Sequence, residues 1–191
     1  MEQLRVGLAM CGSFCTFDKV LQLAEGWGDK YDLTAILSEH AAGTDTRYGT
    51  AQSHIARLEA ITGKPVMTTI PQAERVGPEK LFDVLVIAPC TGNTLAKLAH
   101  GITDSAVTMA AKAHLRNGRP VVVAVSTNDG LSGSAANIGA LLARRGYYFV
   151  PFTQDDPERK PASLVADFSR IGDTVRAALE GKQIQPILLR A

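Results

Sequence analysis

Runs of apolar, β-branched residues alternate along the chain with amphipathic stretches, which is the pattern of repeated strand–helix–strand units. Leu4–Ala9 reads as a buried strand, followed by the turn Met10–Cys15 and a helix capped by Thr16 or Asp18 and running to about Gly26. Tyr31–Ser38 reads as a second strand, then a polar stretch over Glu39–Arg47, a helix from about Gly49 to Ile61 stopped by Gly63, and a short third strand at Pro65–Ile70. Leu81–Ala88 (LFDVLVIA) is the clearest strand. After it a helix begins near Thr94, Gly101 interrupts, and Asp104 or Ser105 caps a further helix that ends by Asn117-Gly118. Pro120–Val125 is the fifth strand, Ser134–Arg145 a helix, and Tyr147–Pro151 the sixth strand. Thr153–Pro161 reads as a charged loop, a lid or a subunit contact, and Leu164–Leu179 as a closing helix.

Strands that are apolar throughout, rather than alternating, are buried on both faces, as parallel strands between helical layers are. The expectation is therefore a three-layer α/β fold with a Rossmann-like, doubly wound parallel sheet of about six strands in the order 3-2-1-4-5-6. No linker or repeat divides the chain, so residues 1–191 are expected to form one domain. Ligands of such sheets bind where the strand order reverses, at the carboxyl ends of the strands. Here that places the loop after Leu4–Ala9 opposite the loop after Leu81–Ala88.

Composition narrows the choices. With 20 Lys and Arg against 19 Asp and Glu, the net charge is +1, and no basic stripe with interleaved aromatics suggests nucleic acid. The amino terminus runs straight into a strand without a basic, then long apolar, leader, and no apolar run approaches a membrane span. Three cysteines do not suggest a disulfide framework, so a reduced, cytoplasmic setting is expected. His40, His54, His100 and His114 match no metal-ligand spacing, and no metal site is expected.

The loops carry the candidate chemistry. Gly12 lets backbone approach a ligand closely and Ser13 adds a hydroxyl near a helix start, a phosphate cradle or else a tight turn with a serine cap. Phe14 adjoins it, and Ser38, ending the second strand, either reaches the same anion or is a plain loop serine. The spacing G-x-G-x-x-G is absent, which argues against a dinucleotide. Pro89-Cys90-Thr91-Gly92-Asn93-Thr94 crowds three short hydrogen-bonding side chains at the crevice, and only one is needed as a helix cap. Such a loop suits the polar edge of a flat ring. Ser126, Thr127 and Asn128 end the fifth strand beside it, and Asp129 is the acid placed there, a candidate for chemistry or a turn aspartate before Gly130. Cys90 lacks an adjacent histidine base and is no evident nucleophile.

The Gly12-Ser13 turn, Ser38 and above all Ala88-Pro89-Cys90-Thr91-Gly92-Asn93-Thr94 through Asp104 resemble the flavoprotein family of homo-oligomeric, flavin-containing cysteine decarboxylases. That resemblance implies FMN bound on a Rossmann-like sheet and a homo-oligomer. It also implies cofactor contacts at Gly12, Ser13, Phe14, Ser38, Pro89, Thr91, Gly92, Asn93, Ser126, Thr127 and Asn128. Two departures stand out. The decarboxylases carry P-x-M-N where this chain has Ser126-Thr127-Asn128-Asp129, and a catalytic histidine that is missing here between Lys64 and Asp83. The segments Thr44–Gly49, Ala111–Val122, Ser126–Asp129 and Tyr148–Pro157 are similar to one branch of the family. The similarity to that branch implies one component of a sporulation oxidoreductase, paired with a companion that binds NAD(P), and a small ring dicarboxylate as substrate. Arg47 then becomes the candidate carboxylate clamp. A self-sufficient flavin-dependent decarboxylase, and a non-catalytic component with a vestigial phosphate site, remain as alternatives.

Overall fold

A computed structural model of the protein describes residues 3–28 and 30–190; Met1-Glu2 of the amino-terminal run read above lies outside them. Five strands form the parallel part of the sheet: β1 (Leu4–Met10), β2 (Tyr31–Leu37), β3 (Val84–Cys90), β4 (Val121–Thr127) and β5 (Tyr147–Phe149). β1 lies between β2 and β3, with Leu8 opposite Ala35 on one side and Val86 on the other. β4 follows β3, and β5 pairs with the first half of β4. Every residue of β3 is buried, as is β4 up to Ser126, because helices cover both faces of the sheet. The order of the predicted strands survives, with one reduction. The predicted third strand, Pro65–Ile70, shrinks to a single parallel bridge between Ile36 and Met67. Pro65 opens that segment and the capping box at Thr69 starts a helix at Ile70, so little chain is left to pair.

Helices α1 (Phe17–Glu25), α2 (Glu39–Gly43), α3 (Ala51–Thr62), α4 (Ile70–Glu74), α5 (Gly92–His100), α6 (Ala106–Leu115) and α7 (Ala135–Leu142) connect these strands. Their ends follow local chemistry. Thr50 caps α3 by accepting from Ser53 N, and Ser105 forms a capping box with Thr108 at the start of α6. Gly63 and Gly101 take the left-handed conformation that closes α3 and α5.

The carboxyl-terminal quarter departs from the expectation. Thr153–Pro161 is no loop: Phe152–Asp156 is β6 and Lys160–Ala166 is β7, an antiparallel hairpin that prolongs the sheet. Helix α8 begins only at Ile171 and runs to Leu179, so the predicted helix at Leu164–Leu179 loses its first turns to β7. The short β5 leaves the end of β4 unpaired, and β7 fills that edge, with Val165 opposite Ser126 and Leu164 opposite Thr127. The charges that suggested a loop sit on the hairpin, where Lys160 pairs with Asp155 at 2.7 Å.

One buried group makes the fold sensitive to acid. His114, on α6, is 1% exposed; its Nε2 donates to Pro120 O at 3.1 Å while Nδ1 is buried without a partner among the described residues. Burial pushes its pKa down to about 4. An unfolded histidine titrates near 6.5, so the unfolded state takes up the proton first and stability is complete only above that pH. We expect urea midpoints to fall as pH drops from about 6.5 to about 4, with a His114 contribution of about 3 kcal/mol that is spent by about pH 4. His114→Gln should flatten that part of the profile; an identical slope in the variant would assign it to other groups.

Candidate functional site

The carboxyl ends of β1, β3 and β4 are tied together by short bonds. Cys11 N donates to Pro89 O at 3.2 Å, which fastens the chain after β1 to the end of β3. Beyond it, Ser13 turns back on Cys11 O at 2.7 Å and opens a single 3₁₀ turn, Phe14–Thr16. The Ser13 hydroxyl lies 2.8 Å from the Ser126 hydroxyl at the end of β4, and Thr16 Oγ1 lies 3.3 Å from the same oxygen. The loop after β1 therefore reaches past β3 to grip β4.

Two cavities open above these ends. One of about 620 Å³ is lined by Cys11, Gly12, Ser38, Thr91, Asn93, Thr94 and Lys97, with Glu39, His40, Asp104 and Ser105 at its far side. The other, of about 360 Å³, is lined by Gly12, Ser13, Phe14, Cys15, Thr46, Tyr48, Thr91, Ser126, Thr127 and Asn128. Gly12 and Thr91 belong to both, so the two adjoin where the turns after β1 and β3 meet. The structure brings Gly12, Ser13, Phe14, Ser38, Thr91, Asn93, Ser126, Thr127 and Asn128 to these walls. Pro89 and Gly92 sit behind them: Pro89 is buried and lends its carbonyl to Cys11, and Gly92 packs inward.

At the start of α5 the cap is Thr91, which accepts from Thr94 N at 3.2 Å. That leaves the Asn93 carboxamide exposed on the larger cavity with no hydrogen-bond partner among the described residues. The α5 amino terminus adds a favourable field for negative charge. Ser38 caps α2, accepting from Ala41 N at 3.3 Å, and still faces the larger cavity.

Gly92 owes its place to the loop after β4. A Cβ on it would lie 2.5 Å from Ser134 Oγ, 2.6 Å from Asp129 Oδ1 and 2.8 Å from Thr127 Oγ1. Asp129 accepts from Thr127 at 2.5 Å and from Ser134 at 2.9 Å, and the Thr127 bond above all holds its carboxyl below the usual range. It lines neither cavity, and its ionised form organises the β4 loop behind Gly92. Arg47 is exposed at the tip of a turn and lines neither cavity, but it donates to Tyr48 Oη at 2.7 Å, and Tyr48 lines the smaller one.

Two of the three thiols, Cys11 and Cys90, are buried. Burial pushes Cys11 up to about 11 and Cys90 well above its ordinary value, so both stay protonated near neutral pH. Lys97 was not among the residues expected here. It lies one helical turn beyond Asn93 on the same face of α5, and its ammonium pairs with Asp104 at 2.8 Å. The i, i+4 spacing of Asn93 and Lys97 was the signal available in the sequence. Tyr48, whose place depends on a turn closing over the cavity, left no such trace.

The family model "Flavoprotein" matches residues 1–161. The chain belongs to the Flavoprotein family. Among curated members, the B-type subunit of dipicolinate synthase from Bacillus subtilis is 40% identical over 186 residues, which cover 97% of this chain and 93% of that one. The crystal structure of the same protein from Bacillus halodurans superposes with a TM-score of 0.89 at 41% identity, covering 100% of this chain and 99% of that one. The FMN-dependent cysteine decarboxylase SpaF superposes with a TM-score of 0.67 at 25% identity over 92% of this chain and 97% of its own. Both dipicolinate synthase proteins are thus more similar to this Flavoprotein chain than the decarboxylase SpaF is.

Gly92→Ala tests the close approach that holds the site together. The added methyl forces the Asp129–Ser134 pair apart, and we expect a loss of about 2 kcal/mol in unfolding free energy, measured by urea denaturation. A variant as stable as the parent would show that the loop yields freely.

Proposed function

We propose that this chain is the FMN-binding, B-type subunit of a dipicolinate synthase. In this reading it acts in the cytoplasm with the nucleotide-binding A-type subunit to oxidise a dihydro- or tetrahydrodipicolinate to dipicolinate during sporulation. The observation that carries the reading is the chain-wide 40% identity to the Bacillus subtilis protein, seated on a cleft whose donors suit a flavin. The Asn93 amide, without a partner among the described residues, and the first turn of α5 stand where a ligand would meet them.

The residues fit the group in kind. Gly12, Ser13 and Ser38 would hold the phosphate, with hydroxyls and close backbone in place of a salt bridge. Thr91, Asn93, Ser126, Thr127 and Asn128 would meet the polar edge of the ring, and Phe14 its apolar face. Bound there, FMN supplies acceptance of a hydride from the substrate, two electrons at a time. The protein's part is to orient the ring, and burial keeps the Cys11 and Cys90 thiols beneath it protonated. Asp129, bonded to two hydroxyls and set behind Gly92, would keep the ring-binding turn rigid; a direct proton transfer from it is not needed. The missing histidine between Lys64 and Asp83 and the Ser126–Asp129 replacement favour oxidation over decarboxylation.

Titration with FMN, followed by flavin absorbance, tests the assignment. Asn93→Ala should weaken binding more than about tenfold, from lost pairing worth roughly 1–3 kcal/mol, and Ser13→Ala should weaken it less because backbone donors remain. No binding at high micromolar FMN would overturn the reading. Release of carbon dioxide from a peptidyl-cysteine by the chain alone would place it with the decarboxylases.

A further inference from the structure

Between α2 and α3 the chain makes a tight turn whose tip faces the smaller cavity. Thr46 N donates to Gly49 O at 3.0 Å and Gly49 N to Thr46 O at 3.1 Å, closing the loop, and Tyr48 N donates to Thr46 Oγ1 at 3.1 Å within it. Asp45 fastens the turn to α3 by accepting from Ala51 N at 2.8 Å. Its base is equally constrained. Gly49 has φ +133°, and a Cβ there would lie 2.8 Å from His54 Cε1, so the turn rests directly on a buried imidazole. The His54 ring meets Phe17 edge-on at 5.0 Å, and Phe17 packs at 5.1 Å on Phe14, a wall of the cavity. The turn and the cavity wall are thus parts of one packed stack.

What this rigid turn presents is Arg47 and Tyr48. Tyr48 stays 44% exposed although it is large and aromatic, and it lines the cavity. Arg47 lies over its ring, the guanidinium carbon 4.9 Å from the centroid, and donates to its hydroxyl at 2.7 Å. That bond uses one of five guanidinium N–H groups and leaves the rest for a ligand. Among the described residues, none that lines the smaller cavity carries a charge. Lys160, on the hairpin, is already paired with Asp155. Arg47 is the cation that a lining residue holds at the rim.

We propose that the Thr46–Gly49 turn is the substrate-recognition element of this site: Arg47 grips one carboxylate of a flat ring bearing two, and Tyr48 positions that guanidinium. The inference rests on the flavin reading above and adds to it the residues that would choose its substrate. A guanidinium held by its neighbour's hydroxyl meets a carboxylate with two parallel N–H groups, which a freely rotating side chain does less well. Arg47 thereby selects for the second carboxylate, whereas flavin binding is left to the residues that end β1, β2, β3 and β4 and the turns that follow them.

The test compares two probes, pyridine-2,6-dicarboxylate and pyridine-2-carboxylate, titrated calorimetrically and by flavin absorbance into the FMN-loaded protein. The parent should prefer the dicarboxylate by about tenfold or more, the preference should collapse to within about twofold in Arg47→Ala, and Arg47→Lys should restore it only in part. Tyr48→Phe should give an intermediate preference, and FMN affinity should stay within about twofold throughout. An undiminished preference in Arg47→Ala, or equal weakening of both probes and of FMN, would overturn the proposal. Should the parent take up no FMN, the flavin reading falls by itself; the same two-probe titration of the FMN-free protein then decides the turn, and a preference that does not depend on Arg47 overturns it.

Discussion

Between β3 and β4 the sheet ends in two turns that meet with no side chain between them, Gly92 lying against the oxygens of Asp129, Thr127 and Ser134. A carboxylate satisfied by two hydroxyls is a compact, polar surface against which another turn packs closely, provided that turn has no Cβ. This contact sets where α5 begins, and so where Asn93 and the first N–H groups of the helix point. The Ser13–Ser126 bond then draws the loop after β1 over the same edge. Remove the close approach and the three loops have no common reference.

The cleft that results is polar but nearly uncharged at its centre. Its donors are hydroxyls, a carboxamide and the amino end of a helix, while the cations stand at the margins: Lys97 paired with Asp104 on one side, Arg47 bonded to Tyr48 on the other. Such an arrangement suits a ligand whose charge lies at its extremities and whose middle is a flat ring. Burial of Cys11 and Cys90 beneath it disfavours their thiolates.

The hairpin of β6 and β7 shows how local reading misleads. Thr153–Pro161 is dense in charge and carries two prolines, the signature of a loop, and Leu164–Leu179 has enough apolar residues to pass for one long helix. What decided otherwise was remote: β5 is only three residues long, and the backbone groups at the end of β4 required a partner. Leu164 also packs over Gly130, where a Cβ would lie 2.7 Å from its side chain, which anchors β7 on the loop that carries Asp129.

The sequence by itself determined the layered fold, the order of the central strands and the loops that form the cleft. Each of these follows from patterns a few residues long: continuous apolar runs that must be buried on both faces, glycines and capping residues that end helices, and short polar side chains clustered after a strand. Only the tertiary structure decided that Asp129 stands behind Gly92, that the distant turn between α2 and α3 brings Arg47 and Tyr48 to the rim, and that the last strands pair antiparallel. Those arrangements depend on which distant backbone groups and hydroxyls lack partners once the sheet has formed, and an unmet hydrogen bond is a property of the folded chain rather than of any stretch of it.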